Sequence, residues 1–298
     1  MAFEIGVGLL QLPLLAIGVL FNTVPAEQLQ ALQAGGLLLA DFARAGLVFA
    51  GMGAWGLLVV LRSVRRFLGK LMPRLGVDSA VHLLALVLCG YLVGNTAVTL
   101  AQGGLEALAE VTVSASIWDV ILQQSLFVFL ALMGAGAFIR RSGQPLRERL
   151  GLTPWRTLDW GVIIRWTGVL LILQTVIGAA WAVLDPQQSE MLSGINDMLL
   201  ADFDTVWEWF LLAVASGVGE ELLFRGALQP ILGLGVTSVL FAVAHVQYGI
   251  TPITLVVLLL GFILGFVRKR HGTTTTILIH FSYNFVLGMG ALLAGMAA

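Results

Sequence analysis

The consecutive residues Glu220-Glu221-Leu222-Leu223-Phe224-Arg225 set three ionisable side chains inside a long apolar stretch. Two later apolar stretches carry polar interruptions of their own, Phe241-x-x-x-His245 and His280-x-x-x-Asn284. Charge at membrane depth is expensive, so it persists where it is paired, hydrated or chemically employed. Two carboxylates, two imidazoles and an amide are the groups of a hydrolytic site. A carboxylate can take a proton from water. Imidazole and amide N–H groups can donate to the oxygen that becomes negative when a carbonyl is attacked.

Spacing assigns different tasks to the two glutamates. On a helix, Glu221 and Arg225 lie four apart, share a face and are expected to pair. Glu220 is turned about 100° away and aligns with Ala213, Ser216, Gly217 and Phe224. Small residues beside a carboxylate leave room for a water or a substrate backbone, so Glu220 is expected to face a cavity. By the same rule His245 shares a face with Phe241, and Asn284 shares one with His280. The plainer reading is an ion-paired packing motif, with histidines that bond to neighbouring helices. Depth argues against it. With an inner turn near Gly233 to Gly235 and a rise of about 1.5 Å per residue, Glu220 and His245 fall roughly 15–20 Å from the inner surface. Asn284 falls about 15 Å from the Thr273 end, and His280 somewhat shallower.

The elements that hold these groups must be membrane helices. The chain is 58% hydrophobic and 11% charged, with a mean hydropathy of +0.95. A soluble protein of this length carries roughly 25% charged residues to clothe its surface. Its 35 glycines suit close helix–helix approach rather than disorder. A net charge of −1 gives no electrostatic footprint for nucleic acid. The single cysteine, Cys89, excludes an intrachain disulfide, and its apolar surroundings give no reason to read it as a catalytic thiol. Met1 to Gly6 lacks the basic flank of a cleaved signal peptide, so Ile5 to Phe21 is expected to remain as the first membrane helix.

A span needs about 20 mostly apolar residues, which gives nine candidates at roughly 5–21, 42–61, 80–101, 117–139, 158–184, 206–228, 234–248, 252–267 and 274–295. The expected fold is therefore all-α, a polytopic transmembrane helical bundle of about eight or nine spans. Residues 1–298 read as one integral-membrane domain, with scaffold helices in 1–157 and the catalytic core in 158–298. Basic residues cluster at Arg62, Arg65, Arg66, Lys70 and Arg74, at Arg140, Arg141, Arg147, Arg149 and Arg156, and at Arg268, Lys269 and Arg270. Alternate connections are acidic, with Glu106 and Glu110 in one and Asp185, Glu190, Asp197, Asp202 and Asp204 in another. Excess Lys and Arg marks cytoplasmic loops, which places the N-terminus in the cytoplasm and explains the clusters by topology alone. Segment 186–206 reads as an interfacial helix or a plain loop.

Taken in order, the Glu-Glu-x-x-x-Arg, Phe-x-x-x-His and His-x-x-x-Asn motifs resemble the signature of the CPBP (CAAX protease and bacteriocin-processing) family of intramembrane endopeptidases. That family includes the type II CAAX prenyl endopeptidases and many bacterial proteins. The resemblance covers about 217–288 and none of the three motifs departs from the pattern. It implies an α-helical protease of the bacterial inner membrane, with a site inside the bundle that opens toward the cytoplasm. Its implied partners are the lipid bilayer and a membrane-anchored protein or peptide substrate. Position by position, Glu220 would activate the water, while His245, His280 and Asn284 orient it or stabilise the oxyanion. Glu221, Arg225 and Phe241 would support them.

Glu220, His245 and His280 are also a zinc-compatible ligand set. They lack the His-Glu-x-x-His spacing of zincins, and the sequence leaves both a zinc and a metal-free route open. Two other functional classes fit parts of the pattern. A secondary transporter also places Glu, His and Asn at mid-membrane, but repeated halves or paired broken helices are not found. A catalytically inactive scaffold or immunity protein could share the fold, yet it would tolerate replacement of Glu220 or His280, and both are present.

Overall fold

The computed structural model describes residues 2–34, 39, 41–111, 114–137 and 141–297. Arg140 and the end of the span expected to reach residue 139 lie outside the described residues. Among the described residues the fold is all-helical with no strand, and eight helical runs are long and apolar enough to cross a membrane. The protein is an integral membrane protein with a polytopic helical fold. Two compact units divide the chain, and each is described by itself.

One unit comprises Met1–Val111 with Val243–Ile250. It contains α1 (Ala2–Leu9), α2 (Leu12–Thr23), α3 (Ala26–Ala34), α4 (Phe42–Val60), α5 (Arg62–Leu71), α6 (Ala80–Ala101) and α7 (Leu105–Val111). α4 packs against α2 on one side and α6 on the other. The break between α4 and α5 falls at Leu61, whose backbone is extended (φ −73°, ψ 124°). A helix end leaves its last carbonyls open. Arg65 fills them, donating to the carbonyls of Val59 at 2.8 Å and Val60 at 2.7 Å, and to that of Val77 at 2.6 Å. Its guanidinium also pairs with Glu4. Topology alone therefore does not account for the first basic cluster, because Arg65 is buried and has a structural partner for nearly every donor.

The other unit comprises Thr112–Ala242 with Thr251–Ala298. Its helices are α8 (Ile117–Ala135), α9 (Gly143–Leu150), α10 (Trp160–Leu184), α11 (Pro186–Leu199), α12 (Val206–Glu220), α13 (Gln229–Val243, whose last residue enters the first unit), α14 (Pro252–His271) and α15 (Thr273–Ala297). Segment 186–206 is thus mostly helix, and Leu192 and Ile195 of α11 are buried. α12 starts at a capping box, where Thr205 accepts from the Glu208 amide and the Glu208 carboxylate accepts from the Thr205 amide. It packs against α8 and α15, while α10 packs against α14 and α15.

Between α12 and α13 the chain runs through a π-helical stretch, Glu221–Leu228. At Gly233 the helix breaks with φ 84° and ψ 172°, a conformation that costs glycine little because it has no Cβ. The spans expected at 206–228 and 234–248 therefore form one apolar run of 38 residues, Val206–Val243, interrupted near the expected turn. This accounts for eight candidate spans where the hydropathy pattern gave nine.

The start of α15 explains the threonine tract. Gly272 (φ 83°) turns the chain, and the Thr273 amide donates to the Gly151 carbonyl at 2.7 Å. Thr273 Oγ1 donates to the Leu150 carbonyl at 2.6 Å. Thr274 Oγ1 accepts from the Thr153 amide at 2.9 Å and donates to its carbonyl at 3.1 Å. Hydroxyls here satisfy backbone groups of a connecting segment, as a low-dielectric setting requires.

Candidate active site

The site is assembled where α12 passes into the π-helical stretch. Two glycines make room for it. A Cβ on Gly217 would lie 3.1 Å from the Ile277 carbonyl and 3.1 Å from the Phe281 nitrogen, so this residue lets α12 touch the backbone of α15. A Cβ on Gly219 would overlap the side chain of Gln124, so this residue opens α12 toward α8. The next two residues use the two openings. Glu220 meets Gln124, whose Nε2 donates to its Oε1 at 3.2 Å. Glu221 meets His280 of α15, with Nδ1 3.0 Å from its Oε1.

Glu221 is fully buried, and the same Oε1 lies 2.9 Å from Arg225 Nη1. The pairing expected from the four-residue spacing is present, on a backbone of i→i+5 rather than i→i+4 bonds. The Gln229 amide, for instance, donates to the Phe224 carbonyl. Arg225 and Gln229 continue into α14: Arg225 Nη2 reaches the Gly261 carbonyl at 3.4 Å, and Gln229 Nε2 donates to the Gly265 carbonyl at 2.8 Å. From α9, Arg149 donates to the carbonyls of Gly226 at 2.8 Å and Ala227 at 3.2 Å. Burial, and then the nearby Arg141 and Arg268, lower the proton affinity of Arg149 below that of an ordinary arginine. All eight residues of the π-helical stretch are buried, so these side chains hold backbone that water does not reach.

Phe241 roofs the cluster. The Arg225 guanidinium carbon lies 4.1 Å from its ring centroid, a cation–π contact of about 0.5–2 kcal/mol. The His280 ring meets it edge-on at 6.0 Å, and Phe224 at 5.1 Å. The aromatic residue of the second motif thus acts through the first and third motifs.

The geometry fixes a tautomer. Beside Arg225, Glu221 is a carboxylate that only accepts, so the hydrogen between it and His280 sits on Nδ1. A neutral ring then carries its lone pair on Nε2. Asn284, half-buried and one turn further along α15, shares the face of His280.

His245 belongs to the first unit. α13 stops at Val243, whose carbonyl accepts from Thr96 Oγ1 of α6, and His245 has non-helical backbone angles (φ −93°, ψ 57°). The span expected to run to residue 248 is therefore short, and the helical register from Phe241 does not extend to His245. The His245 ring stacks on Tyr248 at 6.0 Å with planes 9° apart. The second unit accordingly brings together Glu220, Glu221, Arg225, Phe241 and His280, with Asn284 on the same helix as His280.

Among the described residues of the second unit, no group of three or more His, Cys, Asp or Glu side chains is arranged to hold a metal ion. The acidic oxygen nearest His280 is already shared with an arginine, which weakens it as a cation ligand. Sequence reasoning missed Gln124, Arg149 and Gln229. The signal for Gln124 was present: a polar residue within an apolar span, Ile117–Ala135.

Comparison with known proteins agrees with the motif reading at the same place. Residues 202–286 match the family model described as type II CAAX prenyl endopeptidase Rce1-like. This segment contains α12, the π-helical stretch, both later motifs and most of α15 up to Val286. No curated protein and no solved structure matches the chain.

Proposed function

We propose that this protein is an intramembrane endopeptidase that hydrolyses a peptide bond of a membrane-anchored protein or peptide, with Glu220 as the general base. One observation carries the reading: adjacent carboxylates on one buried turn hydrogen-bond to different helices. Glu221 bonds to Arg225 and to His280 of α15, whereas Glu220 accepts from the amide of Gln124 on α8. A carboxylate that bridges an arginine and a histidine is a support, which leaves its neighbour as the candidate base.

In the proposed reaction Glu220 takes a proton from water as the water oxygen bonds to the scissile carbonyl carbon. The carbonyl oxygen becomes negative and accepts hydrogen bonds from Asn284 Nδ2 and from His280 when its Nε2 carries a proton. Glu221 supports that imidazolium through Nδ1, as a carboxylate does for any histidine that must gain charge. The C–N bond then breaks and the leaving nitrogen receives the proton held by Glu220. His245 enters this proposal on its motif alone. The zinc alternative rests on the motif residues Glu220, His245 and His280 by sequence alone; a bound zinc would supply a more acidic water.

The family match makes a peptide with a prenylated C-terminal CAAX sequence the first substrate to try. Purified protein incubated with such a peptide, and with the same peptide lacking the lipid, tests the reading when products are mapped by mass spectrometry. Internal cleavage supports it. A wholly inert protein across a panel of membrane-anchored peptides supports the scaffold reading instead.

A further inference from the structure

We infer that Gln124 of α8 is a positioning residue for the Glu220 carboxylate, an inference that rests on the endopeptidase reading. Gln124 and Glu220 are 96 residues apart in the sequence, yet Gln124 Nε2 is 3.2 Å from Glu220 Oε1. Both side chains are buried, Gln124 at 7% exposure and Glu220 at 8%. The contact is built rather than incidental. Gly219 leaves the space that Gln124 occupies, and any Cβ at that position would collide with it. The adjacent polar residues of α8, Gln123 and Ser125, are exposed, so Gln124 is the one of the three that is buried.

The chemistry of an amide suits the task. A lysine or arginine at this place would bind the carboxylate as firmly as Arg225 binds Glu221, and would spend its basicity. An apolar residue would leave the carboxylate free to rotate about its side-chain torsions. A neutral donor holds one oxygen in place and adds no charge of its own, so it orients the carboxylate without forming a further ion pair. An orientation error of about 1 Å can cost on the order of a hundredfold in rate.

The test uses the whole chain with Gln124→Met, which keeps the length and removes the donor, and Gln124→Leu, which removes the amide with a side chain of similar bulk. Two measurements are made on each folded variant. Infrared difference spectra identify the Glu220 carboxylate stretch as the band absent from Glu220→Gln. Kinetics on a prenylated, internally quenched peptide separate kcat from KM. The expected result is a displaced Glu220 band in both variants, with kcat lowered about ten- to a hundredfold and KM unchanged, as loss of a hydrogen bond to a charged group implies. An undisplaced band in either folded variant overturns the inference, and so does an unchanged kcat. A fall in kcat with an undisplaced band marks a packing role for Gln124 and also overturns it. Should Glu220→Gln itself cleave normally, the endopeptidase mechanism fails, while the infrared measurement still reports whether Gln124 holds the carboxylate.

Discussion

His280 Nδ1 lies 3.0 Å from Oε1 of Glu221, the second glutamate of the pair, rather than from the glutamate proposed as base. The third motif therefore meets the first through its supporting carboxylate. Glu221 serves two partners at one oxygen, anchoring Arg225 beneath Phe241 and orienting the imidazole on α15. This arrangement makes Glu221 a structural centre as well as a neighbour of the proposed base.

Glu221→Gln should consequently destabilise the protein. It leaves Arg225, 1% exposed, without its counter-charge, and breaking one side of a buried pair costs about 3–5 kcal/mol. Unfolding in detergent measures the loss. The double variant Glu221→Gln with Arg225→Met should recover much of it, because an apolar side chain of similar length tolerates the site. Equal stability of Glu221→Gln and the parent protein would show that the pair is not a support.

The basic connections are expected to face the cytoplasm. With Cys89 first replaced, single cysteines at Arg66, Gln144 and Lys269, all exposed positions, should resist an impermeant reagent in intact cells and react once the membrane is opened. Ready labelling of any one of them in intact cells contradicts the cytoplasmic placement of that segment.

The metal-free route makes a separate prediction. Exhaustive chelation should leave proteolysis intact, and His280→Asn, which keeps an N–H donor and ligates poorly, should retain measurable activity. Activity that vanishes on chelation and returns with about one zinc per chain, together with an inert His280→Asn variant, would instead make Glu220, His245 and His280 a ligand set.

Much of the fold was legible because a membrane enforces simple patterns. α6 occupies the expected 80–101, and Gly233 breaks the chain at the expected turn. The Glu221–Arg225 pair was legible too, since a four-residue spacing nearly survives the wider turn of a π-helix. Other features depend on partners remote in sequence. Thr96 meets the Val243 carbonyl across 147 residues and marks the end of the helix before His245, which no local pattern announces. Gln124 meets Glu220 across 96 residues, and Arg149 meets the Gly226 carbonyl across 77. Arg65 sits in a basic cluster that topology explains on the sequence, and its burial is visible only with α4 and α5 in place.

The central claim is that Glu220 is the base and Glu221 is not. Glu220→Gln keeps the shape of the side chain and can still bond to Gln124, so it isolates the loss of basicity. The decisive measurement is mass-spectrometric detection of the cleavage product from a membrane-anchored peptide that the parent protein cuts, with equal amounts of folded protein. The account predicts the parent's folded yield and no product from Glu220→Gln. Product formation at the parent rate by that variant would contradict it.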